Sequence, residues 1–555
     1  MVARRRLIKR LLMGAVVLTA LLIVAATLRR RTRIQPPQQF QAAYQANAFA
    51  ETLQNVNQQV QATIGEAELE WAPAADNLTI ARRLSLALVG SGLSLEEVQT
   101  LAQVKESDQI RWWTSYLLED RRWSDYFADR FSRAYVGTND GPFLLFRRRK
   151  FNAWLSQQFS EGRAYDQIVS EMLSAEGLWT DTPQVNFITA TMDDANEGRG
   201  DPIRLAGRVS RVFLAQRVDC LQCHDDYLGN VNFGSLDQPV DGAQTHFHEL
   251  AAFFAGTAMA DPVFRGIVED EQEYQFEYLG ESETQVVAPN VPFAQDLLPD
   301  DGKPRQRLAR WVTHTNNRAF SRATVNRVWA LMFSRPLVTP VDNVPLDDTV
   351  PAVMDTLAED FVNHRFDLKR LIRLIAESDA FRRASRAPFE ITEAHEACWS
   401  VFPVTQLRPE QVAGSMLQAC KLTALDGSSS IFTRLKAYGD TQDFLKRFGD
   451  RGEDEFDGQA VTIPQRLVLM NGKLATENTN SNSMTGAASR IATLVEDDQQ
   501  AVQLIFVSAL NRMPSETELS KFVVFMQDKQ GNARRKAIGD IYWAILNSTE
   551  FSWNH

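Results

Sequence analysis

Cysteine and histidine are scarce in this chain, which has four cysteines and seven histidines among its 555 residues. So few thiols exclude a small secreted scaffold held together by many disulfides. The sequence also lacks a P-loop, an H-E-x-x-H helix, a G-x-S-x-G elbow and a dinucleotide-binding glycine motif. The enzyme classes that depend on those motifs have no support here, and no catalytic residue is assigned.

After the first 33 residues, acidic residues clearly outnumber basic ones. Residues 1–33 contain nine of the 59 lysines and arginines and no acidic residue. The rest of the chain carries 50 basic and 70 acidic residues, a net charge of −20. Nucleic acid and anionic lipid surfaces repel such an acidic body, so we exclude nucleic-acid binding.

Two of the four cysteines stand together in the pentad Cys220-Leu221-Gln222-Cys223-His224. This C-x-x-C-H spacing is typical of c-type haem attachment. Thiols two residues apart can form thioethers to the two vinyl groups, and the adjacent imidazole can then coordinate the iron. The sequence therefore predicts covalent haem c at Cys220 and Cys223, with His224 as the proximal ligand.

The sequence does not decide which residue is the ligand on the other side of the haem iron. His246 and His248 follow the pentad closely, and we predict both as cofactor-binding residues, either of them a candidate distal ligand. Met259 and the more distant His314 are further candidates. Bis-histidine ligation would lower the reduction potential and methionine would raise it, while an open position would permit peroxide or small-molecule chemistry.

Two other interpretations of the pentad do not involve haem. Cys220, Cys223, His246 and His248 form a chemically adequate donor set for tetrahedral zinc, although the H-x-H spacing is tighter than in zinc fingers. A redox-active or structural disulfide between Cys220 and Cys223 is the other alternative.

Alternative interpretations are also open for the remaining cysteines and for the acidic residues around the pentad. Cys398 and Cys420 either form a bridge in an oxidising compartment or are two buried apolar side chains. Asp219, Asp225 and Asp226 either tune the haem potential or accept the N–H of the proximal imidazole, or they form a solvated acidic turn, which we favour.

One long apolar run stands near the start of the chain. Leu11 to Leu28 is an uncharged stretch of 18 residues, near the lower limit for a membrane-spanning helix. The four arginines that follow it argue against cleavage, so we predict an uncleaved anchor in the inner (cytoplasmic) membrane. Five basic residues precede the run, so charge alone hardly sets its orientation. Because haem is attached to C-x-x-C-H outside the bacterial cytoplasm, we expect the bulk of the chain in the periplasm or at the cell surface.

Helical periodicity dominates the body of the chain. Capping boxes start at Ser94 and Ser515, while Val263 to Val287 alternate apolar and polar residues as strands do. The predicted fold class is mainly α, with two helical domains, a small β insertion between them and a single transmembrane helix before them. The predicted divisions are a cytoplasmic tip and anchor at 1–33, a Gln-rich tether and first helix at 34–64, a helical cytochrome-like domain at 65–260, a small β insertion and linker at 261–300, and a C-terminal helical domain at 301–555.

An ordered series of motifs runs along the chain from about residue 48 to its end. They are Ile80-Ala-Arg-Arg-Leu-Ser-Leu-Ala-Leu88, Arg211-Val-Phe-Leu-Ala215, Cys220-Leu-Gln-Cys-His-Asp225, Leu250-Ala-Ala-Phe-Phe-Ala255, Ala323-Thr-Val-Asn-Arg-Val-Trp-Ala330, Pro340-Val-Asp342, Phe366-Asp-Leu-Lys-Arg-Leu-Ile372 and Leu546-Asn-Ser-Thr-Glu-Phe-Ser-Trp-Asn554. Together they resemble the planctomycete cytochrome-like proteins, which pair an N-terminal domain of unknown function carrying C-x-x-C-H with a C-terminal helical domain of unknown function.

The resemblance implies export, a membrane or surface location and a c-type haem, but no reaction. Members usually continue the pentad with Asp-His-Pro-Phe, whereas this chain has Asp225, Asp226, Tyr227 and Leu228. Asp226 thus replaces a family histidine, which puts a metal role at that position in doubt. The predicted function is electron transfer or haem-linked redox chemistry with redox partner proteins; the alternative is a surface scaffold whose Cys/His cluster holds zinc or a disulfide.

Overall fold

The computed structural model describes residues 34, 36–37, 40–138, 146–192, 198–261, 266–426, 429–449, 456, 462–478 and 486–555. These residues form a mainly helical protein. The helices are Ala42–Gln45, Asn47–Glu66, Asn77–Val89, Leu95–Leu101, Gln109–Glu119, Arg121–Val136, Arg148–Glu161, Tyr165–Ser174, Asn186–Thr189, Pro202–Phe213, Gln244–Ala252, Pro304–Val312, Arg318–Phe333, Ala352–Asn363, Leu368–Glu377, Asp379–Arg382, Glu393–Ala397, Pro409–Ala419, Ile431–Phe448, Ile463–Asn471, Lys473–Asn478, Ala487–Leu494, Asp498–Leu510, Glu516–Met526 and Gly531–Leu546.

Short strands form three antiparallel pairs. They are Thr257–Asp261 with Gly266–Glu269, Tyr274–Phe276 with Gln285–Val287, and Thr405–Gln406 with Trp553–Asn554. The first two pairs lie in and next to the segment where alternating residues predict strands. The first strand nevertheless begins before residue 261, and residues 262–265 lie outside the described part of the chain.

The predicted fold class needs one correction, which concerns the transmembrane helix. Within the described ranges, no helix is both long enough and apolar enough to cross a membrane. Asn47–Glu66, for example, is a 20-residue helix that buries only a stripe of four side chains and is polar on its other faces. The apolar run from Leu11 to Leu28, on which the prediction rested, lies outside the described residues.

Helix starts follow the local chemistry that the sequence predicts. Ser94 accepts a hydrogen bond from the amide of Glu97 at 3.2 Å, and the Glu97 carboxylate accepts one from the amide of Ser94 at 2.8 Å. Ser515 and Glu518 repeat this reciprocal pattern. Both capping boxes are confirmed, because each supplies acceptors for amides that the first helical turn leaves unpaired.

Two buried apolar clusters hold the helices together. The first gathers side chains from Tyr44 through Phe402, and the second gathers Leu86 with side chains from Leu407 through Phe551. The first cluster includes residues on both sides of the predicted β insertion, since the ring of Tyr165 stacks on Phe320 at 5.6 Å. The pentad sits at the surface of this first cluster.

Candidate functional site

The pentad lies on a short 3-10 turn that follows the helix Pro202–Phe213. The turn spans Asp219–Gln222, and the amides of Cys223 and His224 both donate to the Cys220 carbonyl, at 3.2 and 3.4 Å. Leu221 is completely buried, whereas Cys220 and Cys223 are exposed and unbridged. The turn therefore anchors its apolar side chain in the core and presents both thiols to solvent.

The thiol of Cys220 is held in its protonated form. Partial burial raises its pKa first, and the negative charges of Asp226 and Asp219 raise it further. A reactive dithiol normally has the opposite setting, with a helix N-terminus or a cation that lowers the thiol pKa. This environment disfavours a redox-active dithiol at the pentad.

The carbonyl of Gln222, in the middle of the pentad, is held from the helix Gln244–Ala252. The His248 Nε2 lies 3.1 Å from this carbonyl oxygen, and the side-chain amide of Gln244 donates to the same atom at 3.1 Å. Gln244 and His248 are four residues apart, so they project from one face of their helix. We call these two side chains the clamp, because they fix the pentad turn to the first core.

His248 is a completely buried imidazole whose two nitrogens are both engaged. Because a carbonyl can only accept, Nε2 carries the proton that it donates to Gln222, and Nδ1 accepts from the Tyr274 hydroxyl at 2.9 Å. The ring stacks on Phe276 with centroids 3.4 Å apart. Burial lowers the pKa of His248, with the Gln222 bond as a smaller opposing influence, so the ring favours its neutral form.

His246 is locked in the same tautomer by a different bond. Its Nδ1 accepts from the amide of Ala243 at 3.0 Å, so the proton of the neutral ring is on Nε2. Burial lowers the pKa of His246 more than the charge of Asp225 raises it. A metal needs an imidazole lone pair, and the backbone amide already occupies the one that His246 has.

His224 has the opposite arrangement. Its Nδ1 donates to the carbonyl of Asp225 at 2.6 Å, which leaves the proton on Nδ1 and the lone pair on Nε2. The residue is exposed, and its ring lies nearly parallel to that of Tyr227, with centroids 6.0 Å apart. A metal-ligating histidine usually donates its second ring N–H to a carbonyl or carboxylate in this way. His224 therefore has the tautomer of a ligand, and its acceptor is a main-chain carbonyl, not an aspartate side chain.

The residues that the zinc alternative needs are not arranged as a metal-binding group. Across the described ranges, no three His, Cys, Asp or Glu side chains are grouped so that they could hold a metal ion. To coordinate a metal through the nitrogen that is bonded to the backbone, His246 would have to break its bond to the Ala243 amide. His248 would have to break its bond to the Gln222 carbonyl and also change tautomer. The four donors as placed do not fit tetrahedral zinc, whereas the exposed thiols and His224 fit haem attachment.

Asp226, which by the resemblance replaces a histidine, holds the loop after the pentad together. Its carboxylate accepts from the amides of Leu228 at 3.1 Å and Val231 at 2.5 Å, and its own amide donates to the Gly242 carbonyl. Asp225 accepts from the amide of Gln244, the first residue of the clamp helix, at 2.7 Å. The two aspartates therefore close the loop after the pentad and start the helix that holds it.

The other candidates lie apart from this arrangement. Met259 is on the strand Thr257–Asp261, where it lines an open polar cleft of about 480 Å³ with charged neighbours that include Arg199 and Lys303. His314 uses Nδ1 to accept from the amide of Asn316. Cys398 packs against the first core and Cys420 is buried in the second; both are unbridged.

Sequence reasoning did not single out three residues of the site, namely Gln222, Gln244 and Tyr274. The i, i+4 spacing of Gln244 and His248 is visible in the sequence, but their shared target is a backbone carbonyl that no pattern marks. Tyr274 belongs to the alternating strand that the sequence does predict.

Replacing His248 by phenylalanine tests whether the ring holds the turn. The variant keeps a flat ring for Phe276 but takes a donor from the Gln222 carbonyl and an acceptor from the Tyr274 hydroxyl. We expect the free energy of unfolding to fall by about 1–3 kcal/mol in urea titrations, because the Tyr274 hydroxyl loses its acceptor and the Gln222 carbonyl keeps only the Gln244 donor. His314→Phe, which removes one acceptor at a half-buried turn, should cost less. Equal losses of unfolding free energy in the two variants would show that His248 does not hold the pentad turn.

The fold and the pentad together define a mainly helical protein with a surface C-x-x-C-H loop. Residues 55–258 match the family model PSCyt2, protein of unknown function (DUF1549), and residues 304–526 match PSD1, protein of unknown function (DUF1553). The chain thus pairs two planctomycete-type domains, as the motif series predicts, and the pentad lies inside the first match. No curated protein and no solved structure matches the chain.

Proposed function

We propose that this protein carries a c-type haem on Cys220 and Cys223, with His224 as the proximal ligand, and transfers electrons outside the cytoplasm. When bound, haem supplies a one-electron redox centre. The location follows from the chemistry, because haem is joined to C-x-x-C-H on the outer side of the bacterial cytoplasmic membrane.

The observation that carries the proposal is the state of His224. Of the three histidines at and near the pentad, it alone has its Nδ1 proton donated to a carbonyl and its Nε2 lone pair facing solvent. The same turn presents both thiols. The three groups that attachment would use are therefore exposed at one turn, which supports the proposal.

The neighbouring residues support and orient these groups. The clamp holds the Gln222 carbonyl, and hence the backbone between the two thiols. The loop after the pentad exposes the apolar side chains Tyr227 and Leu228, which are 75% and 85% exposed. Exposed apolar side chains of this size beside the thiols can shield a flat apolar ligand from water.

The test is an absorption spectrum of protein produced with the cytochrome c maturation machinery. We expect a Soret band, a reduced-minus-oxidised difference spectrum of haem c, and haem that stays with the chain through denaturation and acid–acetone extraction. The same protein produced without that machinery is the control and should be colourless. A colourless product from both preparations, carrying bound zinc or a Cys220–Cys223 disulfide by mass spectrometry, would contradict the proposal and support the scaffold alternative.

A further inference from the structure

The loop around the pentad combines exposed apolar side chains with acidic ones. Besides Tyr227 and Leu228, Leu236 is 67% exposed and Val240 is 44% exposed. The loop folds back on itself, since Asn232 bridges to Asp241 and the Asp226 amide donates to the Gly242 carbonyl. Monomeric proteins rarely leave several large apolar side chains exposed together unless another molecule covers them.

The charges around these apolar side chains are all of one sign. From Arg217 to Arg265 the sequence has no lysine or arginine between the two, yet it contains seven acidic residues. Asp225, Asp226, Asp237 and Asp241 lie within the loop, and none of them has an ion pair in the part of the chain that the structure describes.

The nearest cations along the chain form ion pairs with other aspartates. Arg211 pairs with Asp219 at 2.7 Å, and Arg217 pairs with Asp342 at 2.7 Å. Asp225 and Asp226 accept backbone hydrogen bonds, which hold the loop but leave the carboxylates charged. Within the described residues, the four carboxylates of the loop therefore form no ion pair with a cation.

From this arrangement we infer that the loop 225–241 is a docking surface for a cationic redox partner, a protein that presents lysine or arginine side chains. We call this surface the pentad face. An apolar centre with charged groups around it is the usual anatomy of a protein interface, and complementary charge steers the encounter. The inference rests on the proposed function, because it assigns the surface through which the haem site would exchange electrons.

Two binding probes separate this inference from the question of haem. The first is octalysine, titrated into haem-free and haem-loaded protein at low salt. The double variant Asp237→Asn/Asp241→Asn removes two charges whose side chains make no hydrogen bond that the fold needs within the described residues. We expect its octalysine affinity to fall about three- to tenfold, as for the loss of two exposed charge contacts. Glu66→Gln/Glu70→Gln is the matched control, since both residues are exposed and carry the same total charge.

The second probe is the one-electron reductant hexaammineruthenium(II), which becomes hexaammineruthenium(III) as it reduces ferric haem. Its bimolecular rate constant should fall with ionic strength in the wild type, and it should be about two- to tenfold lower in the Asp237/Asp241 double variant. Ferrocyanide, an anion, should show the opposite salt dependence. The control variant should behave as the wild type in both assays.

The outcomes distinguish the two proposals. Octalysine binding that depends on Asp237 and Asp241 in a protein that takes up no haem supports the pentad face and contradicts the haem function. Haem uptake with octalysine affinity and reduction rates equal in the wild type and the double variant overturns the pentad face alone. Self-association that the double variant abolishes, seen by sedimentation, would also overturn it, because the surface would then pair with a second copy of the chain.

Discussion

Replacing both pentad thiols, in Cys220→Ser/Cys223→Ser, is expected to abolish covalent haem completely. A thioether needs a sulfur, and the serine hydroxyl that replaces it does not add to a vinyl group under the same conditions. Both side chains are exposed, so the change should leave the fold intact. The measurement is haem staining of denatured protein after co-production with the maturation machinery, with the yield of soluble protein recorded beside it.

The chain supplies a matched control for this experiment. Cys398→Ala/Cys420→Ala removes the other two thiols, which lie in or against the two apolar cores away from the pentad. Burial raises the pKa of Cys420 to about 12, so this thiol is unreactive as well as inaccessible. We expect full haem content in the control. Equal haem loss in both double variants would show that attachment depends on folding alone and not on the pentad thiols.

The pentad could be identified as a candidate site from sequence alone because it depends on adjacent residues. Two thiols two positions apart with a histidine next to them define the candidate without knowledge of the fold. The helical caps at Ser94 and Ser515 are local in the same sense, since each joins residues three apart. Local chemistry of this kind is the part that a single sequence determines.

The roles of His246 and His248 could not be predicted, because they depend on the tautomer of each ring. Both residue type and spacing allow metal ligation. The two rings differ in their hydrogen-bond partners. His246 accepts from the Ala243 amide, whereas His248 donates to the Gln222 carbonyl and accepts from the Tyr274 hydroxyl. His248 lies 26 residues after Gln222 and 26 residues before Tyr274, and only the folded chain brings these three residues together.

Two further predictions concerned the strands near Tyr274 and the transmembrane helix. The alternating residues near Tyr274 predicted strands correctly, but not that one of these tyrosines would bind the buried imidazole of His248. The transmembrane part of the fold class was wrong for the described helices, whose apolar residues form stripes and not continuous runs. A stripe packs against a core, whereas spanning a bilayer requires apolar residues on every face.

Replacing Glu410 by glutamine is expected to produce the largest loss of stability. Glu410 begins the helix Pro409–Ala419 in the second core, and its Oε1 accepts from Arg130 at 2.8 Å and from Arg408 at 2.9 Å. Arg130 belongs to the helix Arg121–Val136 of the first core, so the carboxylate links the two cores. Both arginine side chains are 2% exposed. Removing one charge of a buried ionic group costs about 3–5 kcal/mol. Arg130 keeps its ion pair with Asp129, but Arg130 and Arg408 stay buried without the carboxylate that they share.

The stability difference between the two proteins should depend on pH in a defined direction. Burial acts to raise the pKa of Glu410, but the charges of Arg130 and Arg408 outweigh it and lower the pKa below its ordinary value. A carboxyl group with a lowered folded-state pKa stabilises the protein above the unfolded-state pKa of about 4.3, and this contribution is lost as the pH falls through the folded-state value. The difference between wild type and Glu410→Gln should therefore be full at pH 7 and shrink below about pH 4.3.

Urea unfolding followed by tryptophan fluorescence, at pH 7 and at pH 3.5, measures this difference directly. The control is Glu516→Gln, which also changes a glutamate in the first turn of a helix but at an exposed position. Within the described residues its carboxylate forms no ion pair, so its charge acts mainly on the helix N-terminus, and we expect a cost of less than about 1 kcal/mol at pH 7. A Glu410 difference that is as small as the control, or that grows as the pH falls, would show that the carboxylate does not link the two cores. If the buried opposite charges link the two cores, the difference in the free energy of unfolding will be large at pH 7 and smaller at pH 3.5.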